Sequence, residues 1–136
     1  MIITLGVADL ERAVRFYEAL GWRRSVKGAR GVAFFQCGAV ALALYPFPAL
    51  AADAGVPAVV SGCAAVAIAH NERSRQAVDA VLAEAERAGA EILKPAADTS
   101  WGGYAGCFRD PDGHLWEIAW NPAFALDRGG AVRLPG

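Results

Sequence analysis

"LGVADLERAVRFYEALGW", Leu5 to Trp22, decides how the rest of the chain is parsed. Its start belongs to the run Ile2 to Val7, whose β-branched and apolar residues suit a strand. Asp9 comes next, and its carboxylate can accept from the free N–H groups that open a helix. Leu10, Ala13, Val14, Tyr17 and Leu20 then recur at helical spacing, which puts one apolar face on that helix. Gly21 supplies the stop, because it tolerates a left-handed backbone. The stretch therefore reads as strand, cap, helix and stop in unbroken succession.

Three short strand-like runs come next, "WRRSV", "GVAFFQC" and "VALALY", with a turn at Gly38 and an end at Pro46. The pattern then restarts. "GCAAVAIAH" reads as a strand, and Asn71 or Ser74 can cap a second helix. In that helix, "SRQAVDAVLAEAERA" keeps Ala77, Val78, Val81, Leu82, Ala85 and Ala88 on one side. Gly89 stops it, and "AEILK", "GGYAGCFR" and "HLWEIAW" are three further strands. The chain thus holds two copies of β-α-β-β-β, alike in pattern rather than identity. The expected boundaries are about 1–46 for the first copy, 47–61 for a linker, 62–120 for the second copy and 121–136 for a tail. The linker is rich in Pro and Ala and reads as a loop with room for one helical turn.

Composition narrows the function classes. With 136 residues, 55% apolar and 20% charged, the chain suits one compact domain and not a disordered one. A net charge of −1 argues against a nucleic-acid partner, which needs a basic surface. No run of about 18 apolar residues is present to span a membrane, and the start lacks the basic region of a signal peptide. Cys37, Cys63 and Cys107 are odd in number and form no CxxC pair, so a cytoplasmic protein with reduced, apolar cysteines is expected.

The two copies resemble the vicinal oxygen chelate superfamily, also called the glyoxalase/bleomycin resistance/dioxygenase superfamily. The carrying residues are "LGVADLERAVRFYEALGW" in the first copy and "GGYAGCFRDPDGHLWEIAWNP" in the second. The resemblance implies an α+β fold of two tandem βαβββ modules whose curved mixed sheets form a cup. It also implies a homodimer, and in metal-dependent members a set of His, Glu or Gln ligands on the first and last strand of each module.

Those positions are poorly equipped here. The fourth residue after Gly113 is Glu117, a possible ligand, but the fourth after Gly38 is Leu42. On the first strands the positions fall on Ile2, with Thr4 next on the same face, and on Ala64 or Ala65. One carboxylate does not hold a catalytic divalent metal, since zinc sites need at least three protein ligands. His70 and His114 read as strand-end or surface residues, and His114 points away from Glu117 because the two are three apart on a strand.

Strand alternation gives the expected inner face of the cup. Glu117 goes with Leu115 and Ala119, Leu42 with Val40 and Leu44, Ile2 with Thr4 and Gly6, and Ala65 with Ala67 and Ala69. Trp116, Ile118 and Trp120 should face a helix or the other module. Phe34 and Phe35 divide between the faces, in an order that the pattern leaves open. A carboxylate among small apolar side chains loses hydration. That suits Glu117 to anchor an amine or hydroxyl of a ligand, to exchange a proton with it, or to be satisfied by a neighbour. Trp101 and Tyr104, in "TSWGGY", are expected as stacking surfaces for a flat ligand.

The resulting expectation is a metal-independent protein that binds a small apolar or aromatic molecule. Its site would comprise Glu117, Trp101, Tyr104, Leu42, Thr4 and Leu115, with no cofactor, and drug or toxin sequestration is one version of its role. Glu117 is the candidate should catalysis occur. The alternative is a glyoxalase-type lyase or isomerase, or a dioxygenase, with a divalent metal at a site not recognised in the sequence.

Overall fold

The computed structural model describes residues 1–58 and 66–136. The chain divides into two compact units, Met1–Ala65 and Val66–Gly136. The candidate ligand positions Ala64 and Ala65, and Cys63, lie outside the described residues.

The first unit runs β1 (Ile2–Val7), α1 (Leu10–Ala19), β2 (Arg24–Ser25), β3 (Ala33–Cys37), β4 (Val40–Pro46) and α2 (Phe47–Ala54). Asp9 caps α1 by accepting from the Arg12 N–H at 2.9 Å. The sheet has the order β1-β4-β3-β2, with β1 parallel to β4 and the other pairs antiparallel. Residues directly opposite each other on paired strands share a face. Leu5, Val7, Ala33, Phe35, Leu42 and Leu44 are therefore one face, and all are buried. Tyr17 of α1 packs on that face, with its ring centroid 5.9 Å from that of Phe35. Burying a large aromatic or a leucine there stabilises the unit by about 1.5–3 kcal/mol per side chain.

This register corrects the expected place of Leu42. It pairs with Ile3 and Phe35, so it belongs to the α1 side of the sheet and is 3% exposed. The face away from α1, the open face, carries Ile2, Thr4 and Gly6 on β1 and Ala41, Ala43 and Tyr45 on β4. Phe34 pairs with Ala43 and joins that face, which settles the order of the two phenylalanines. The physical reason is the turn. Cys37 pairs with Val40 across only Gly38 and Ala39, and the length of a hairpin loop sets the register of the strand beyond it.

The linker also differs from expectation, because α2 is a helix of eight residues. Pro48 is compatible with it, since a proline in the first turn gives up an N–H that has no partner in the helix. The helix ends at Gly55, whose φ of 70° is left-handed. It lies over the open face at Gly6, where an added Cβ would come 2.6 Å from Phe47 Cδ2. The Tyr45 hydroxyl donates to Asp53 of α2 at 3.0 Å and fixes the same contact.

The second unit runs β5 (Ile68–Asn71), α3 (Arg75–Arg87), β6 (Glu91–Asp98), β7 (Tyr104–Arg109), β8 (Leu115–Trp120), β9 (Ala125–Leu126) and β10 (Val132–Arg133). Its main sheet, β5-β8-β7-β6, repeats the first order, again with one parallel pair, β5 with β8. The fold is thus α+β with two βαβββ modules. Ser74, one of the two expected caps, accepts from Ala77 N–H at 3.1 Å. Val78, Leu82 and Ala85 of α3 are buried. Phe108, Trp116 and Ile118 form the buried helix side of the sheet, as expected for the last two. Gly106 shares that side and permits close approach, because a Cβ there would meet Leu82 Cδ1 at 2.6 Å. The tail forms the small β9-β10 ladder, held to the unit by Arg73, whose guanidinium donates to the carbonyls of Leu126 and Asp127. Among the described residues no helix is long and apolar enough to cross a membrane.

Candidate functional site

The turn before β8 sets the position of Glu117. Asp110 is 4% exposed, and its carboxylate accepts from the N–H groups of Asp112 at 2.9 Å and His114 at 2.8 Å. It also pairs with His114 Nδ1 at 2.7 Å. Gly113 supplies a φ of 88°. Each of these demands a specific residue type, and together they define a five-residue loop, Asp110 to His114, between the pair Arg109–Leu115.

From that register Leu115, Glu117 and Ala119 point away from α3. Opposite Glu117 stand Cys107 on β7 and Ala69 on β5, and opposite Ala119 stand Ala105 and Asn71. Around Glu117 this face therefore carries small side chains, of which Ala105 and Ala119 are buried, while Glu91 lies at its far edge opposite Arg109. Glu117 is half-buried, and no described residue forms a hydrogen bond or ion pair with its side chain. Cys107 registers the charge beside it. Burial pushes its thiol above the ordinary range, Glu117 adds to the rise, and Lys94 opposes it.

The expected site residues do not all meet. Glu117 and Leu115 share the second unit's open face. Thr4 is on the open face of the first unit, exposed, while Leu42 is on the opposite side of that sheet. Tyr104 is opposite Trp120 and on the α3 side, not with Glu117. Its ring is already covered by Arg75, whose Cζ is 5.2 Å from its centroid and 5.4 Å from that of Trp120. Arg75 is ion-paired to Asp98, and the Tyr104 hydroxyl donates to Asp79 at 2.8 Å, which raises the phenol's pKa. Tyr104 is thus occupied by its own chain. Trp101 is 49% exposed at the tip of a loop closed by Thr99, which bonds Gly103 through its backbone and its hydroxyl, both at 3.0 Å. The indole folds over Gly103, where a Cβ would fall 1.7 Å from Cζ3.

Among the described residues, the donors on these faces do not make up a divalent metal site. The open-face positions on β1 and β4 are Ile2, Thr4, Gly6, Ala41, Ala43 and Tyr45, and those on β5 and β8 add only Asn71 and Glu117. Correcting the register of Leu42 therefore brings no His, Glu or Gln into the position. His70 lies on the other side of β5, 2.8 Å from Glu72. Among the described residues no three His, Cys, Asp or Glu side chains are grouped as a metal site would need.

Two βαβββ units with the same strand permutation, and a carboxylate on the final strand of the second, define a class of paired-module α+β proteins. The chain belongs to the Glyoxalase/Bleomycin resistance protein/Dioxygenase superfamily, whose profile matches residues 2–118. A glyoxalase-related enzyme from Fulvimarina pelagi is 37% identical in sequence, with a TM-score of 0.91 over 99% of this chain and 96% of that one. A glyoxalase/bleomycin resistance protein/dioxygenase from Nocardioides is 28% identical, with a TM-score of 0.72 over 99% and 88%. Lactoylglutathione lyase from Agrobacterium tumefaciens shares the fold at 24% identity, with a TM-score of 0.67 over 89% and 92%. No curated protein matches the chain.

Proposed function

We propose that the protein binds a small organic molecule on the open face of its second sheet, without a metal, and that Glu117 is the polar anchor. One observation carries this reading: a half-buried carboxylate that no described residue pairs, set among Ala69, Ala105, Ala119 and Leu115. An acceptor-only group in that setting selects a ligand with an amine or hydroxyl and an apolar or aromatic body. Sequestration of a drug or toxin is one role that needs nothing more. The protein is taken to work in the cytoplasm as a homodimer.

The test is a titration of the full chain with hydrophobic amines and their neutral isosteres, monitored by tryptophan fluorescence. Glu117→Gln should leave the fold intact and weaken amine binding by about tenfold, the usual scale for a charge-assisted hydrogen bond. Equal affinity of the two proteins for an amine that binds would remove Glu117 as anchor.

A second reading has one observation in its favour, the 37% identity to a protein described as a glyoxalase-related enzyme. It makes this chain a lyase, isomerase or dioxygenase with a divalent metal. Dialysis against Mn, Fe, Ni and Zn in turn, then elemental mass spectrometry of the untagged protein, separates the two. Near-stoichiometric retention of one metal supports the second reading and ends the metal-independent one.

A further inference from the structure

The strand β6 is irregular where it passes the Glu117 row. Ile92 pairs with Phe108, but the next pair is Lys94 with Cys107, which leaves Leu93 as an extra residue. In an unbroken strand Leu93 would stand opposite Cys107, and Lys94 would fall on the α3 side beside Gly106. The bulge reverses this. Such bulges re-aim side chains and are enriched beside functional sites. Here the result is a straight row across all the strands of the sheet: Lys94, Cys107, Glu117 and Ala69. The thiol between the two charges responds to both, Glu117 raising its pKa and Lys94 lowering it.

Lys94 is exposed, and no described residue is ion-paired with it. The other charges on this part of the face are Arg109 and Glu91, and they neutralise each other at 3.4 Å. Lys94 and Glu117 are thus two unpaired opposite charges, two strand spacings apart, or about 10 Å. That is the spacing of their backbones; the two side chains are not paired with each other, and a small bipolar molecule laid across the strands would span it.

We infer that Lys94 is a second, specificity-determining residue of this face, and that the ligand is bipolar. Its amine or hydroxyl end meets Glu117, its carboxylate end meets Lys94, and an apolar middle crosses Cys107. The inference rests on the proposed role of Glu117 and adds the anionic end of the ligand to it.

The probe is ω-aminooctanoate, whose extended length matches that separation, compared with octylamine, octanoate and diaminooctane. Binding to the full chain is read by amide chemical shifts of β6, β7 and β8 and by calorimetry. Aminooctanoate should bind more tightly than octylamine, by about threefold to tenfold for a partly exposed ion pair. Lys94→Met should abolish that advantage, so that aminooctanoate binds no more tightly than octylamine. Lys94→Glu should invert the preference, so that diaminooctane binds better than aminooctanoate, which loss of structure would not produce. Unchanged preference in both Lys94 variants, with amine binding still lost in Glu117→Gln, overturns the role of Lys94 and leaves Glu117 standing. Binding of all probes that is indifferent to Glu117→Gln, or no binding on this face, overturns both.

Discussion

The two sheets share one strand order, yet their open faces are opposites. The first carries Ile2, Thr4, Phe34, Ala41 and Ala43, with no charged residue among them, and α2 lies over its Gly6 end. The second carries Lys94, Cys107 and Glu117 in one row. The cause is local in both cases. A two-residue turn at Gly38 and Ala39 sends Leu42 to the helix side, and a five-residue loop built on Asp110 sends Glu117 to the open side. Both residues are the fourth after a turn glycine. A repeat can therefore preserve topology while hairpin length decides which chemistry reaches each surface.

The largest effect should come from neighbours that this comparison separates. Phe35 is 1% exposed under α1, and Phe35→Ala should cost about 3–5 kcal/mol of unfolding free energy. Phe34, on the open face, should cost only about 1–2 kcal/mol when replaced by Ala, since its ring is only partly buried. Denaturant melts of the two variants measure both. Equal losses would mean that the first sheet is covered on both sides.

The glycines sharpen the contrast at a smaller scale. A Cβ at Gly106 would lie 2.9 Å from both Ala96 N and Lys94 O, which are backbone atoms and cannot swing aside. A Cβ at Gly6 would meet the Phe47 and Leu50 side chains, which can. Gly106→Ala should therefore destabilise by about 2–3 kcal/mol and Gly6→Ala by about 1 kcal/mol. The reverse ranking in thermal melts would place the tighter contact on the first unit.

Much of the fold was legible because local chemistry and periodicity agreed. Asp9 and Ser74 cap their helices, and alternation placed Trp116 and Ile118 against α3. The repeat emerged from those signals alone. Of the candidate site, the shared face of Glu117 and Leu115 was legible, because the Asp-Pro-Asp-Gly turn specifies its own geometry. Leu42 was misplaced because turn length is not encoded in the strand beyond the turn. Tyr104 looked like a free stacking surface because nothing local marks Arg75, on another element, as its partner. Lys94 was missed because a bulge adds a residue without a turn signal, and "EILK" before a Pro reads as an ordinary strand end. The helix α2 was underestimated because its prolines resemble those of a loop, although the first turn of a helix accepts one.

The smallest predicted effect tests the second face most directly, because each unit carries one described cysteine of similar exposure. Burial raises the pKa of both thiols, but only Cys107 has the Glu117 charge as a further cause. Glu117→Gln removes that charge, so the Cys107 pKa should fall while that of Cys37 stays where it is. At neutral pH, below both pKa values, a lower pKa means more thiolate and faster alkylation. The gain is partly offset because a less basic thiolate is a weaker nucleophile, so the net acceleration should be about twofold. Iodoacetamide labelling and peptide mass spectrometry read each cysteine separately, with Cys37 as the internal control. Acceleration at both sites would indicate general loosening of the structure. Acceleration at neither would mean that Glu117 points its charge away from Cys107, and the row of polar groups across the second sheet would lose its centre.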